Sequence, residues 1–208
     1  MNGLMLDSVN AKAIESAVAD RSTFRGMPIV AAALYLDGKF AAPAWVFPML
    51  RRAGIKVIGI TVTGAPGAHA ARIKKAADVE PGDLDPPSAA AWAEAERKAG
   101  EYPALYSDRA EKPAVIHECL ARGMEPGRDF GLWVATLDGT FEDLGGADLR
   151  HEPGVLAVQA YPASVLGIEA DGSVITPRGR AWLKLPQTWE EHARDLAGEL
   201  LDLLDRHI

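Results

Sequence analysis

Asp78-Val79-Glu80 is the segment of this chain best suited to chemistry. It closes a run of strand-forming residues that ends Ala76-Ala77-Asp78-Val79-Glu80, and along a strand residues two apart share a face. Both carboxyls therefore project together while Val79 faces the other way. Two carboxyls held close in a partly dry site repel each other, which keeps one protonated near neutral pH while the other stays ionised. Such a pair suits glycosidic hydrolysis, whose transition state needs a proton donor and a nearby negative charge. Asp7, after the apolar residues of a first strand, and Asp37, ending a second, extend the set. Aspartate before a turn also satisfies local backbone amides, so each aspartate has a purely structural alternative. Glu80 fits that alternative least, because glutamate is depleted in strands.

Aromatic residues at other strand ends add sugar-stacking candidates: Tyr35, Tyr106, Trp133 and Tyr161, with Gln159 offering an amide. For each of these aromatics, packing in the core or at the rim is the stronger alternative. Other chemistries lack their motifs. Gly64-Ala65-Pro66-Gly67 follows a strand, but no Gly-Lys-Ser/Thr comes after it and the G-x-G-x-x-G spacing is missing. His69, His117, His151, His192 and His207 show no metal-ligand spacing, and no Gly-x-Ser-x-Gly elbow presents a serine. The single cysteine, Cys119, excludes an intramolecular disulfide and reads as a small buried apolar residue.

The elements that must position these groups alternate. Strand-like runs at 3–9, 28–37, 55–63, the segment ending at Glu80, 104–107, 130–137 and 155–161 are followed by two last extended segments at 165–168 and 173–175. Helical patterns lie between several of them: 11–20 capped by Asn10, 44–53 stopped by Gly54, one opening at Asp85-Pro86-Pro87-Ser88, and 113–122 closed by Gly123. Alternation implies parallel strands with crossovers, and about eight strands imply a closed α/β barrel. The linkers after the third, sixth and seventh strands are too short or too polar for full helices, so an abbreviated (β/α)₈ barrel lacking some outer helices is expected. An open doubly wound sheet is the alternative. Thr188-Trp189-Glu190-Glu191 reads as a capping box opening an amphipathic helix over 188–207, with Leu196, Leu200, Leu203 and Leu204 as its stripe. The expected division is a barrel over 1–178 and an extension over 179–208.

A chain of 208 residues has room for one such domain. Its 48% hydrophobic and 25% charged residues are those of an ordinary globular protein, and its net charge of −7 argues against nucleic acid or anionic lipid as partners. The start carries neither a basic signal region nor a span-length apolar run, so synthesis in the cytoplasm without a signal peptide is the expectation, with other means of reaching a cell wall.

In order, Met5-Leu6-Asp7-Ser8-Val9, Ala33-Leu34-Tyr35-Leu36-Asp37-Gly38-Lys39-Phe40, Ala77-Asp78-Val79-Glu80-Pro81-Gly82-Asp83, Leu105-Tyr106-Ser107, Leu132-Trp133-Val134-Ala135 and Ala157-Val158-Gln159-Ala160-Tyr161 form a recognisable series. This succession, over Leu4 to Thr176, resembles glycoside-hydrolase-like barrel proteins of actinobacteria and their phages, distant relatives of the family 25 lysozymes. The resemblance implies an N-acetylmuramidase-like activity on peptidoglycan with Glu80 as proton donor. Asp78 and Asp7 would stabilise the cationic centre or orient a substrate amide, and Asp171 would be the acid near the last strand. It implies no metal and no organic cofactor, and a cell-wall glycan as partner. The competing expectation is a barrel that has lost its chemistry and serves a virion as a structural or glycan-binding protein, docked to other subunits through the C-terminal helix.

Overall fold

The computed structural model describes residues 3–20, 23–65, 73–162 and 165–185. Nine strands alternate with five helices: β1 (Leu4–Asp7), α1 (Ala11–Ala19), β2 (Thr23–Phe24), β3 (Met27–Tyr35), α2 (Val46–Arg52), β4 (Lys56–Thr61), β5 (Lys74–Val79), α3 (Pro86–Lys98), β6 (Ala104–Asp108), α4 (Lys112–Ala121), β7 (Gly131–Ala135), β8 (Val155–Tyr161), β9 (Asp171–Ile175) and α5 (Pro177–Trp182). Neighbouring strands bond in the order β1-β9-β8-β7-β6-β5-β4-β3, and β1 also pairs with β3. The sheet therefore closes into an eight-stranded barrel, with β2 attached to β3 as a hairpin arm. Closure removes the open doubly wound alternative.

Seven of the barrel strands run parallel, but β9 is antiparallel to both β8 and β1. The reason is connection length. Only Pro162 to Ala170 separates β8 from β9, too little for a crossover helix, and a chain returning directly must reverse. The extended segment expected at 165–168 is instead a short 3-10 turn over Val165–Gly167. Among the described residues no α-helix follows β4, β7 or β8 before the next strand, which is the abbreviation the linkers imply.

Helix starts follow local chemistry. The Asn10 side chain accepts from the Ala13 amide at 3.2 Å, and Asp85 accepts from the Ser88 amide at 2.8 Å with two prolines in the first turn behind it. Outside the barrel, α3 and α4 bury Ala90, Trp92, Val115 and Cys119 against Val79, Leu105 and Val134, while α1 and α2 bury Ile14, Val18 and Leu50 against Leu6, Leu34 and Val57. Inside, alanines at 31, 33, 76, 104, 135 and 157 interleave with Met5, Ile58, Ile60, Trp133 and Ile175, so small and large side chains fill the bore. The lower end is closed by Leu183 and Leu185, which follow α5. That helix lies so close to β8 that a Cβ on Gly179 would sit 2.0 Å from the Leu156 carbonyl. The boundary expected after residue 178 falls within α5, and the helix expected over 188–207 lies outside the described residues. No described helix is long and apolar enough to cross a membrane.

Candidate active site

The upper, carboxyl-terminal end of the bore differs from the rest. Alternation on β5 turns Ala76 and Asp78 inward and Ala77 and Val79 outward, as their membership of inner and outer clusters shows. Glu80, one residue beyond β5, follows on the inner side and is half-buried, whereas Asp78 is only 1% exposed. Asp78 stands beside Tyr106, and Tyr106 beside Trp133, on one rung of the β5-β6-β7 wall. Across the closing seam Asp7 of β1 faces Asp171 of β9.

Two tyrosines hold the two central carboxyls. The Tyr35 hydroxyl donates to Asp78 Oδ2 at 3.1 Å, and the Tyr106 hydroxyl donates to Glu80. One carboxyl oxygen each from Asp78, Glu80 and Asp83 lies within 4.8 Å of the others, so the three acids form one cluster of like charge. Gln159 Nε2 donates to Asp171 Oδ2 at 2.9 Å. Beside Asp7 and Asp171 opens a cavity of about 140 Å³, also lined by Ser8, Tyr35 and Ala170.

Burial and like charge act in the same direction throughout. Burial, then the Glu80 charge, pushes Asp78 up to about 7, against the opposing pull of the Tyr35 hydrogen bond. Burial also raises Glu80, where Tyr106 opposes and Asp83, Asp108 and Asp171 add to the rise. Asp7 is raised well above its usual value, by burial first and then by Asp171, Asp78 and Glu80. The tyrosines are raised as well, by burial and then chiefly by Asp7 on Tyr35 and Glu80 on Tyr106, so both remain donors. At neutral pH these shifts favour protonated carboxyls in the cluster. Glu80 is the member a ligand can reach.

The sequence-derived set thus divides. Asp7, Asp78, Glu80, Asp171, Tyr35, Tyr106 and Gln159 converge on the mouth. Trp133 does too, but as floor: it is 2% exposed, edge-on to Tyr106 at 4.8 Å, and its Nε1 donates to Ser173 Oγ at 2.9 Å. It offers no open face for stacking. Asp37 is engaged locally, accepting from the Thr61 hydroxyl, the Val62 amide at 2.8 Å and the Thr63 hydroxyl at 2.9 Å, which joins the end of β3 to the loop after β4. Tyr161 lies outside the barrel against Phe24 and Phe141, beneath the Arg25 guanidinium. A β-bulge between Gln159 and Tyr161 sets Tyr161 opposite Gly172 and so turns it away from Gln159's side.

Three participants escaped the sequence reading. Asp83 closes the turn after Glu80, and its spacing within the Asp78-to-Asp83 motif was the available signal. Ser173 is an ordinary strand serine with no signal of its own. Phe40 stands exposed at the rim, edge-on to Tyr35 at 6.4 Å. An aromatic just past a strand-ending Asp-Gly was the clue to it.

Compared with known proteins, the sequence matches no family model and no curated protein. Solved structures do match in shape. A crystal structure of an uncharacterized B. stearothermophilus protein superposes with a TM-score of 0.61 at 18% identity, over 86% of this chain and 99% of that one. A family 25 glycosyl hydrolase from Bacillus anthracis superposes with a TM-score of 0.52 at 9% identity, over 89% of this chain and 93% of that one. At these identities the likeness is one of fold.

Proposed function

We propose that the protein is a glycoside hydrolase whose substrate is a cell-wall glycan. The observation that carries this reading is the tyrosine-held carboxyl pair, Asp78 and Glu80, at the barrel mouth. Barrel enzymes place their reactive groups at this end, and the fold shared with a family 25 glycosyl hydrolase supports the class. Glu80, reachable and raised, would give its proton to the glycosidic oxygen as the bond to the anomeric carbon breaks. Asp78 and Asp7, just below, would in their ionised form offset the positive charge that develops there, and a water would then add its oxygen to the anomeric carbon and give up its proton to a carboxylate of the cluster. Proton movement between Asp78 and Glu80 is short, since their nearest oxygens lie within 4.8 Å.

The finer reading, an N-acetylmuramidase of peptidoglycan in an actinobacterial or phage setting, rests on the sequence resemblance. The alternative of a chemically inert virion barrel gains no support from the mouth, where a cavity opens beside Asp7 and Asp171. The test is release of new reducing ends from purified cell walls, with Glu80→Gln compared at equal thermal stability. Loss of roughly 10²- to 10⁴-fold in rate is expected for removal of a general acid. Undiminished release by Glu80→Gln would overturn the assignment of Glu80, and no release by the unsubstituted protein from any wall would overturn the activity.

A further inference from the structure

The lower end of the barrel, opposite the mouth, gathers cations. A cavity of about 480 Å³ opens there, where β4 and β5 begin and α5 ends, and Arg51, Lys56, Lys74 and Lys184 line it against one acid, Glu101. None of the four makes an ion pair with a described residue, although the chain carries a net charge of −7. Lys75, Lys98, Arg109, Lys112 and Arg122 are each paired elsewhere. Arg51 has a local reason for its place, since it lies in the last turn of α2, where a cation meets free carbonyls. Lys184 has no such reason. It holds a left-handed backbone (φ 54) just past the end of α5, a position where glycine is the unstrained residue.

The surface between these cations is apolar. Ile55, Val57 and Leu183 line the same cavity, and Ile55 also lines a second groove of about 640 Å³ between α1 and α2, with Val18, Met49 and Arg52. The two meet at Ile55 as one apolar trough with a basic edge. An independent observation says what covers it. The described residues end at Leu185, next to Lys184, so residues 186–208 start at the rim of this trough. They also hold every acid outside the described residues: residues 1–2, 21–22, 66–72 and 163–164 contain none, whereas Glu190, Glu191, Asp195, Glu199, Asp202 and Asp205 follow Pro186. The helical pattern over 188–207 puts Trp189, Ala193, Leu196, Leu200 and Leu203 on one stripe. Along the flank of that stripe it puts Glu191, Asp195, Glu199 and Asp202, each three or four residues after the last. A helix of that length spans roughly 30 Å, about the diameter of a small domain.

We infer that residues 188–207 dock in cis on the lower end of their own barrel, with the leucine stripe in the trough lined by Ile55, Val57 and Leu183 and the acidic flank against Arg51, Lys56, Lys74 and Lys184. Buried leucines supply most of the attraction, and the exposed charges fix which way the helix lies. Docked so, the helix covers the plug formed by Leu183 and Leu185, leaves the mouth open and keeps its apolar face from other subunits. The inference does not depend on the activity at the mouth.

Amide hydrogen exchange on the full chain tests this, with a synthetic peptide of residues 186–208 as the free reference, because an isolated helix of this length is marginal in water. Amides over 191–205 are expected to exchange at least about tenfold more slowly in the full chain than in the peptide. Lys56→Glu with Lys74→Glu should remove most of that protection, and adding Asp195→Lys with Glu199→Lys should restore it. The Asp195 and Glu199 reversals made alone change no residue of the barrel, so their loss of protection reads the same contact should the lysine variants fail to melt cooperatively. Exchange as fast as in the peptide would overturn the inference. Protection indifferent to all the reversals would place the helix on another surface and overturn it too. Protection that disappears on dilution together with a sedimenting dimer would mean docking on a second copy, which rules out docking in cis.

Discussion

Lys112 and the barrel mouth both bury charge, and they settle it in opposite ways. Lys112, 5% exposed at the start of α4, places its ammonium 2.6 Å from Asp143 Oδ2 and 2.8 Å from Glu152 Oε2. Burial works against the ammonium, but its two carboxylate partners outweigh burial and raise it. In Asp143 too burial pushes up, yet Lys112 holds the carboxyl below its usual value. This cluster ties the long connection between β7 and β8 to α4. In the mouth Asp7, Asp78 and Glu80 are raised by burial and by one another, and among the described residues the tyrosine hydroxyls are the groups that oppose the rise in Asp78 and Glu80. A satisfied cluster stabilises the fold, whereas an unsatisfied one costs stability and marks a site built for something that arrives from outside.

Breaking the satisfied cluster should have the largest effect on stability. Lys112→Met keeps the length of the side chain and leaves Asp143 and Glu152 facing each other. Removing one partner of a buried pair costs roughly 3–5 kcal/mol, and the partial exposure of the two acids lowers the expectation to about 2–4 kcal/mol. Chemical denaturation would measure it, and hydrolysis per folded molecule should be unchanged. A loss below about 1 kcal/mol would mean that the cluster holds little of the fold.

Asp37 sharpens the comparison, because it is an acid that ends a barrel strand yet belongs to the satisfied kind. Asp37→Ala releases three donors from the loop after β4 and should cost about 1–2 kcal/mol. Asp78→Asn should act in the opposite direction at pH 7. The raised Asp78 contributes stability that is fully present below the ordinary aspartate value and is lost as pH rises through about 7. Asparagine carries no such loss, so the variant should be more stable at pH 7, by about 1 kcal/mol, and flatter between pH 4 and 7. Asp143, held low, gives the reverse dependence, losing its contribution only as pH falls below the ordinary aspartate range. Wild-type stability should therefore pass through a maximum near pH 4–5, and thermal melts across pH 3–8 would instead rise from pH 3 and then stay level, with no fall toward pH 8, if the mouth did not hold protons.

The mouth was legible in the sequence where strand alternation alone decides. Asp7, Asp78 and Gln159 sit at inward positions of strands whose outward residues are aliphatic, and Glu80 continues the face set by Asp78. Tyr161 was misplaced because a single extra residue in β8 reverses which side a side chain takes, and nothing in Gln159-Ala160-Tyr161 announces a bulge. Trp133 was legible as inward but not as buried, since exposure depends on Tyr106 and Ser173 arriving from other strands. Asp37 pointed at chemistry and turned out to serve a turn, the local alternative open to any strand-ending aspartate. The barrel followed from counting alternations, whereas the antiparallel β9 depends on a connection whose shortness stood in the sequence without stating a direction.

The smallest expected effects decide which carboxyl is the acid. Tyr35 and Tyr106 each lower one member of the pair by donating a hydrogen bond to its ionised form. Tyr35→Phe should raise Asp78 and Tyr106→Phe should raise Glu80, each by about half to one pH unit, the worth of one hydrogen bond. A general acid must be protonated, so its ionisation sets the alkaline limb of kcat/KM, and the carboxylate partner sets the acidic limb. If Glu80 is the donor, Tyr106→Phe moves the alkaline limb upward and Tyr35→Phe moves the acidic limb upward, narrowing the active range. If Asp78 instead delivers the proton, the two variants exchange limbs. A profile in which neither limb moves would show that the tyrosines merely fill the mouth, and the contrast with Lys112 would then reduce to one of packing.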